Sequence, residues 1–172
     1  MWDRITTRGA PFALAAAVAI APATAQAIPA QGETVTVPHS FQPGYDTYTE
    51  FHAGVDALKA GRFRDAETHF DHVLLMVPTD ADSMFLLGMA RAGQGNLNGA
   101  RRAFQDTLRL DPHRLFAHRE LALTLIKLGQ VEKARAELAV LRQQSAECAG
   151  TCSDADAYDA AIKSVEAALP PG

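Results

Sequence analysis

The residues with the greatest potential for chemistry are two cysteines near the C-terminus. Cys148 and Cys152 are the only cysteines of the chain and are separated by three residues. In an exported protein an even number of cysteines predicts a disulfide, and Gly150 between them can end a helix and let the sulfur atoms meet. A redox-active thiol pair is the alternative, although the spacing is not that of a CxxC motif. No histidine follows Cys152, so the motif for c-type haem attachment is absent.

Six histidines raise the question of a metal site. His69 and His72 lie three residues apart on one predicted helix, with Asp71 between them. Two ligands from one helical turn are too few for a closed tetrahedral zinc site, so we interpret them as solvated side chains of an outer helix. The sequence also lacks a nucleophile elbow, a phosphate-binding loop and paired carboxylates beyond ordinary surface charge. We therefore predict no enzyme activity, no cofactor and no bound metal.

The N-terminal residues differ in character from the rest of the chain. Two arginines precede an apolar run over residues 10–21, and the small-residue sequence Ala25-Gln26-Ala27 follows it. This order is typical of a cleaved secretory signal over residues 1–27. A membrane anchor is less favoured because the run has about 12 residues, whereas a spanning helix needs roughly 20. We therefore predict an exported protein, with the bacterial periplasm as the expected compartment.

The charge of the chain restricts its partners. The formal net charge is −4 and becomes about −5 when residues 1–27, with two arginines and one aspartate, are removed. Nucleic-acid binding requires a basic face, and an acidic chain does not supply one. The same acidity argues against an anionic membrane surface. A protein or peptide partner is the remaining expectation, and the oligomeric state stays open.

The chain after the signal segment divides into an extended lead-in and a helical part. Residues 28–46 contain three prolines and two glycines and show no helical periodicity, which predicts an irregular lead-in. From Thr47 onward the apolar residues have helical spacing. The predicted helix pairs are 47–60 with 63–76, 80–93 with 97–110, and 114–128 with 131–146.

Several residue types recur at one constant step along the chain, which indicates stacked structural units rather than one closed core. The second helices repeat an alanine followed four residues later by a large apolar residue, and small residues repeat on the first helices. These recurring sets are Ala66, Ala100 and Ala134; Phe70, Phe104 and Leu138; Gly54, Gly88 and Ala122; Gly61, Gly95 and Gly129; and Pro78 with Pro112.

This pattern resembles the tetratricopeptide repeat (TPR) family, whose units carry W-x2-LG-x2-Y, then A-x3-F, then P at a period of about 34 residues. The middle unit matches best, through Leu87-Gly88, Ala100, Phe104 and Pro112. The resemblance covers residues 47–148 and implies an all-α, right-handed superhelical solenoid of three TPR helix pairs. In the third unit Ala146 stands where the proline is expected.

Residues 149–172 are predicted to form a C-terminal capping helix and tail. Tyr158, Ile162, Val165 and Leu169 fall on one helical stripe, as a helix that covers the last open face of a solenoid requires.

Three residues along the chain are further predicted to cap the starts of helices, because short polar side chains accept hydrogen bonds there. They are Asp80, Asp111 and Ser153.

In the TPR family the first helix of each pair lines the concave surface, so the resemblance implies a groove along these helices. The groove set comprises Phe51, Val55, Phe85, Met89, Phe116, Arg119, Leu123 and Lys127. Its apolar character predicts a non-enzymatic adaptor that binds a polypeptide segment. The alternative is a self-associating scaffold whose groove is filled by residues 28–46.

Some family members use this surface to clamp a C-terminal carboxylate with lysines, asparagines and an arginine. In this chain apolar or acidic residues occupy the corresponding positions, which argues against a receptor of the clamp type. These positions are Phe51, Val55, Leu86, Phe116 and Glu120.

Overall fold

The computed structural model describes residues 46–148 and 152–171, and within these ranges all regular structure is α-helical. The predicted signal segment and the lead-in up to residue 45 lie outside the described residues. The described helices are α1 (Thr47–Lys59), α2 (Phe63–Met76), α3 (Ala81–Gly93), α4 (Leu97–Leu110), α5 (Leu115–Lys127), α6 (Val131–Cys148) and α7 (Ala155–Ala168).

The helix bounds confirm the predicted pairs, with one informative difference. α2 and α4 each end two residues before a proline, Pro78 or Pro112, because the residue that precedes proline avoids helical dihedral angles. α6 was expected to end at residue 146 but continues to Cys148. Ala146 replaces the proline of the earlier units, so nothing in the local backbone stops the helix there.

A left-handed glycine forms the turn inside each helix pair. In the first turn, the Gly61 N–H donates to the Leu58 carbonyl at 3.0 Å and the Arg62 N–H donates to the Ala57 carbonyl at 2.9 Å. This is the Schellman arrangement, in which the residue after the helix has a positive φ that glycine adopts at the lowest cost. The φ values are 70°, 78° and 71° at Gly61, Gly95 and Gly129.

The predicted cap at Asp80 is confirmed, since its carboxylate accepts the Ser83 N–H at 3.2 Å. The other two predicted caps are wrong. The Asp111 carboxylate accepts the His113 N–H, and α5 begins only after Arg114, so Asp111 is the residue that ends α4 and not the one that starts α5. At the start of α7, the residue in the cap position is Asp154 and not Ser153, which lies one residue earlier.

In the first two pairs, a glycine of the first helix lies directly against a phenylalanine ring of the second helix. A Cβ atom at Gly88 would lie 2.5 Å from the Phe104 ring, and one at Gly54 would lie 2.8 Å from the Phe70 ring. The rings therefore lie directly against the first helix of their own pair. The third pair combines Ala122 with the smaller Leu138 at the same positions.

The helices stack in chain order, and the first helices form a continuous row. α1 contacts α3 and α3 contacts α5, whereas comparable contacts between the second helices are not found in the described part of the chain. The row of first helices is therefore the inner side of the stack. α7 packs on both α5 and α6, with Ala161 and Val165 fully buried, so it takes the place of the next first helix. The predicted capping helix is thus confirmed.

The Gly88–Phe104 contact predicts that Gly88→Ala destabilises the protein. Overpacking a core costs about 1–3 kcal/mol, whereas the better helix propensity of alanine returns at most about 1 kcal/mol. We expect a net decrease in the free energy of unfolding, measured by urea denaturation followed by circular dichroism.

The matched background is Phe104→Leu, in which Gly88→Ala recreates the alanine–leucine pair of the third unit. In that background the ring is gone, so Gly88→Ala should raise the free energy of unfolding instead of lowering it. The same sign in both backgrounds would show that the ring does not limit the approach of the two helices.

Candidate functional site

The candidate site is the surface of α1, α3 and α5, and its residues occupy equivalent positions in the three units. All eight residues of the predicted groove set lie on these first helices or stand at their ends. Aligning the units by the repeat step gives three columns along the row. The columns are Tyr48, Asp82 and Phe116; Phe51, Phe85 and Arg119; and Val55, Met89 and Leu123.

Two of the predicted groove aromatics also belong to the core. The Phe51 ring meets the Phe70 ring edge-on at a centroid distance of 6.0 Å, and the Phe85 ring lies 5.7 Å from the Phe104 ring. The guanidinium of Arg114 lies 5.0 Å above the Phe85 ring. Phe51 and Phe85 are therefore half-buried, and each contributes only part of its ring to the surface of the row.

Phe116 is the aromatic side chain of the predicted groove set that projects furthest into solvent, at 45% exposure. The guanidinium of Arg119 lies 5.2 Å from its centroid, a distance at which a cation is attracted to an aromatic face. Arg119 is itself fixed by Glu120, whose Oε1 accepts from Nε at 3.0 Å and from Nη2 at 2.6 Å. Phe116 thus presents an exposed ring that contacts a guanidinium group on one side.

The rest of the row is aliphatic. Val55, Met89 and Leu123 are half-buried and pack on the two buried clusters beneath them. Lys127 ends α5 as an exposed side chain. The row therefore forms a mainly apolar strip with aromatic side chains at intervals, interrupted by the charged side chains of Asp82 and Arg119 and followed by the cation of Lys127 at the end of α5.

Most of the charge next to this strip is neutralised within the protein. Arg114 pairs with Asp82, and Arg119 pairs with Glu120. Between the first and second units, Arg91 Nε on α3 donates to Glu67 Oε1 on α2 at 2.7 Å. Partial burial disfavours the Glu67 carboxylate, but hydrogen bonds from Arg91 and Gln94 outweigh it and lower the pKa of Glu67. These pairs reduce the net charge that the strip presents.

The two cysteines lie within disulfide distance, as the sequence predicted. Cys148 ends α6, and Cys152 stands three residues before α7, with a Cα–Cα distance of 5.5 Å. The bond closes the connection between the third helix pair and its capping helix. Among the described residues, no cluster of metal-ligating side chains is found and no helix is long and apolar enough to cross a membrane.

The interpretation of His69 and His72 as simply solvated is wrong. Both side chains are about one-third exposed and face the buried carboxylate of Glu50 on α1. Glu50 Oε2 lies 2.8 Å from Nδ1 of His69 and 3.2 Å from Nδ1 of His72. The histidines therefore link the two helices of the first pair and satisfy a buried carboxylate, as a buried charge requires.

An equivalent link joins the third pair with the two residue types exchanged. His118 Nδ1 lies 2.7 Å from Glu137 Oε2, and these positions correspond to Glu50 and His69. Sequence reasoning missed this link because the partners are far apart along the chain. An alignment of the units would have shown it, because glutamate and histidine exchange places between the first and third units at these two positions. The middle unit has Met84 and Ala103 there.

The His118 side chain also contacts the turn before α5, and Gln144 connects the same turn to the capping helix. Its Nε2 lies 3.0 Å from the Pro112 carbonyl, which also accepts from the Gln144 amide at 3.2 Å. The Tyr158 hydroxyl of α7 donates to Gln144 Oε1 at 3.4 Å. Burial opposes protonation of His118, but the contacts with Glu137 and Pro112 outweigh it and raise its pKa above the ordinary value of 6.5.

Comparison with known proteins identifies the family. Two family models, both described as tetratricopeptide repeat, match residues 52–114 and 91–150. Together they span more than half of the chain. The protein therefore belongs to the tetratricopeptide repeat family, as the repeated sequence pattern predicted.

Solved structures share the fold at low sequence identity. MamA from Desulfovibrio magneticus RS-1 is 22% identical, with a TM-score of 0.58, and the match covers 59% of this chain and 57% of that one, less than two thirds of either. PcrH is 19% identical, with a TM-score of 0.62 and coverage of 74% and 100%. The TPR2B domain of yeast Sti1 is 18% identical, with a TM-score of 0.61 and coverage of 70% and 95%. These likenesses show an all-α TPR solenoid.

The disulfide predicts a measurable dependence of stability on redox state. Closing a loop of about five residues removes chain entropy worth about 2 kcal/mol from the unfolded state. Replacing Cys148 and Cys152 by serine should lower the free energy of unfolding by that amount in urea denaturation. Dithiothreitol should lower the stability of the wild-type chain to the level of the variant and leave the variant unchanged. Equal stability of the wild type and the variant in the absence of dithiothreitol would contradict this account.

The His118 contacts predict a pH dependence. Because folding raises the pKa of His118, its stabilising contribution is complete below the unfolded value near 6.5 and is lost as pH rises through the folded value. Both ring nitrogens donate when protonated, to the Glu137 carboxylate and the Pro112 carbonyl. We expect the free energy of unfolding to fall over this pH range.

The control is His118→Gln, which cannot titrate while the other histidines still do. The slope of stability against pH, from urea denaturation at a series of pH values, should be smaller in the variant than in the wild type. Identical slopes would assign the pH dependence to the remaining histidines.

Proposed function

We propose that this TPR protein is a non-enzymatic adaptor that binds an apolar segment of another polypeptide along α1, α3 and α5. The observation that carries the proposal is Phe116, a large aromatic ring that is 45% exposed and has the guanidinium of Arg119 beside it. The half-buried Phe85 and Met89 lie on the same row. Protein interfaces are enriched in aromatic side chains and arginine, which dominate binding energy when a partner buries them.

Relatives of the same fold support a protein-interaction role. The PcrH structure contains the chaperone-binding region of PopB, and the Sti1 TPR2B structure is a complex with pHsp70. Stacked repeats of this kind create extended surfaces that proteins use for binding. Membership in the family therefore supports polypeptide binding, and the named residues of the row are our proposal for where it occurs.

The chemistry of the row favours an internal apolar segment over a chain terminus. Arg119 pairs with Glu120, and Arg114 pairs with Asp82, so these guanidinium groups are already engaged. A clamp around a terminal carboxylate would need several cations that are free to receive it, and these two are not. An apolar or amphipathic segment needs only surface to bury, with Lys127 placed to contact an acidic residue at one end.

We further propose that the protein is exported to an oxidising compartment, with the periplasm as the expected one. The Cys148–Cys152 disulfide is compatible with such a compartment, because disulfides persist where thiols are not kept reduced. The charge and length pattern of residues 1–27 carries the export signal in this proposal.

The test uses a peptide selected for binding from a display library of random apolar and amphipathic segments. Phe116→Ser removes the exposed ring and should weaken the selected peptide by at least about tenfold, as expected for the loss of a hot-spot aromatic residue. Fluorescence polarisation with the labelled peptide measures the effect.

The matched control is Leu110→Ser, at an apolar side chain that is 41% exposed on the second helix α4. It should leave the affinity unchanged. Phe85→Asp is a poorer test, because the Phe85 ring packs on Phe104 and the variant would lose stability as well. If Phe116→Ser and Leu110→Ser have the same effect on affinity, the row of first helices is not the binding surface.

A further inference from the structure

An apolar cleft of about 340 Å³ opens at the first helix pair. It is formed by the start of α1, the end of α2 and the residue before α3. Its lining consists of Thr47, Tyr48, Phe51, Val73, Val77 and Asp80. The carboxylate of Asp80 is already engaged by the Ser83 N–H, so the cleft presents a mainly apolar surface.

The two ends of the stack differ in how they are covered. At the C-terminal end, α7 buries the face of α5 and α6. At the N-terminal end, no element of the described residues plays this part, and Tyr48 and Val77 remain 73% and 41% exposed. A solenoid exposes apolar surface at an end that nothing caps.

The sequence immediately before α1 has the composition that this cleft requires. Residues 34–45 contain no aspartate, glutamate, lysine or arginine, and Val37, Phe41 and Tyr45 recur at intervals of four. The segment is joined to the cleft directly through Asp46, the residue that caps α1. Phe41 lies five residues before Asp46. An extended chain of this length reaches up to about 17 Å.

We propose that residues 37–45 of this chain cover the cleft and that the ring of Phe41 occupies it. The short connection favours this occupant over a separate molecule, because a covalently joined segment is present at an effective concentration in the millimolar range. No acidic or strongly basic side chain has to be desolvated on the segment. The N-terminal end of the stack is then capped by residues 37–45, as the C-terminal end is capped by α7.

This capping limits the surface that is left for a partner. Phe51 belongs both to the cleft and to the row of first helices. A segment in the cleft therefore covers the beginning of the row and leaves α3 and α5, with Phe85 and Phe116, as the open part. The capping itself does not depend on whether a partner binds there.

A double-mutant cycle tests the contact in the full-length chain as purified from cells. Phe41→Ser and Val77→Ala are made singly and together, and the unfolding equilibrium constant is measured by urea denaturation. Direct contacts couple strongly in such cycles. We expect Phe41→Ser to raise the constant about tenfold in the wild-type background and less than about threefold in the Val77→Ala background.

The matched control is Leu75→Ala, two residues before Val77 near the end of α2 but 75% exposed and outside the cleft lining. Phe41→Ser should have its full effect in that background. Equal effects of Phe41→Ser in all three backgrounds would overturn the proposal. So would a coupling to Val77 that grows with protein concentration, because the ring would then belong to a second copy of the chain.

The cycle is independent of the peptide-binding test. If Phe116→Ser leaves peptide affinity unchanged while Phe41 and Val77 remain coupled, the proposed partner surface fails and the N-terminal cap stands. If Phe116→Ser weakens peptide binding while Phe41 and Val77 are not coupled, the N-terminal cap fails and the proposed partner surface stands.

Discussion

The architecture depends on one close contact between a small residue on the first helix of a pair and a large side chain of the second. It is made by glycine and phenylalanine in the first two pairs, and Ala122 and Leu138 occupy the same positions in the third. At Gly54 and Gly88 there is no room for a β-carbon, because the rings of Phe70 and Phe104 lie against the backbone. This contact sets the distance between the helices of a pair. Since it recurs at the constant repeat step, each pair presents the same shape to the next, and the first helices line up in one row.

The polar links of the outer pairs add a second level of order to this repeated shape. A carboxylate and an imidazole join the first and second helices in units one and three, with the two residue types exchanged, while the middle unit uses apolar residues at the same positions. In the third unit His118 also reaches the turn before α5 through Pro112. The outer units thus gain directional contacts where the middle unit, with a repeat on either side, relies on packing.

The inner row shows how one set of residues can serve both packing and recognition. Phe51 and Phe85 each rest on a core ring, so their positions are fixed by the same contact that holds the pair together. One turn before Phe51 and Phe85, the equivalent positions of the three units hold Tyr48, Asp82 and Phe116. Tyr48 and Phe116 are exposed at the two ends of the row, with Asp82 between them. The accessible aromatic surface therefore lies at the ends of the row, and the middle is crossed by the Asp82–Arg114 pair.

The sequence by itself determined the helices, their pairing, the glycine turns, the capping helix and the cysteine pair. These features follow from local backbone preferences and from a fixed period, both of which can be read along the chain. Only the tertiary structure decided that Asp111 ends α4 and does not cap the start of α5, that Glu50 and His118 each meet a partner on the adjacent helix, and how much of each groove residue is exposed. Exposure and side-chain partners depend on atoms that are distant in sequence and meet only when the units stack, so no local pattern encodes them.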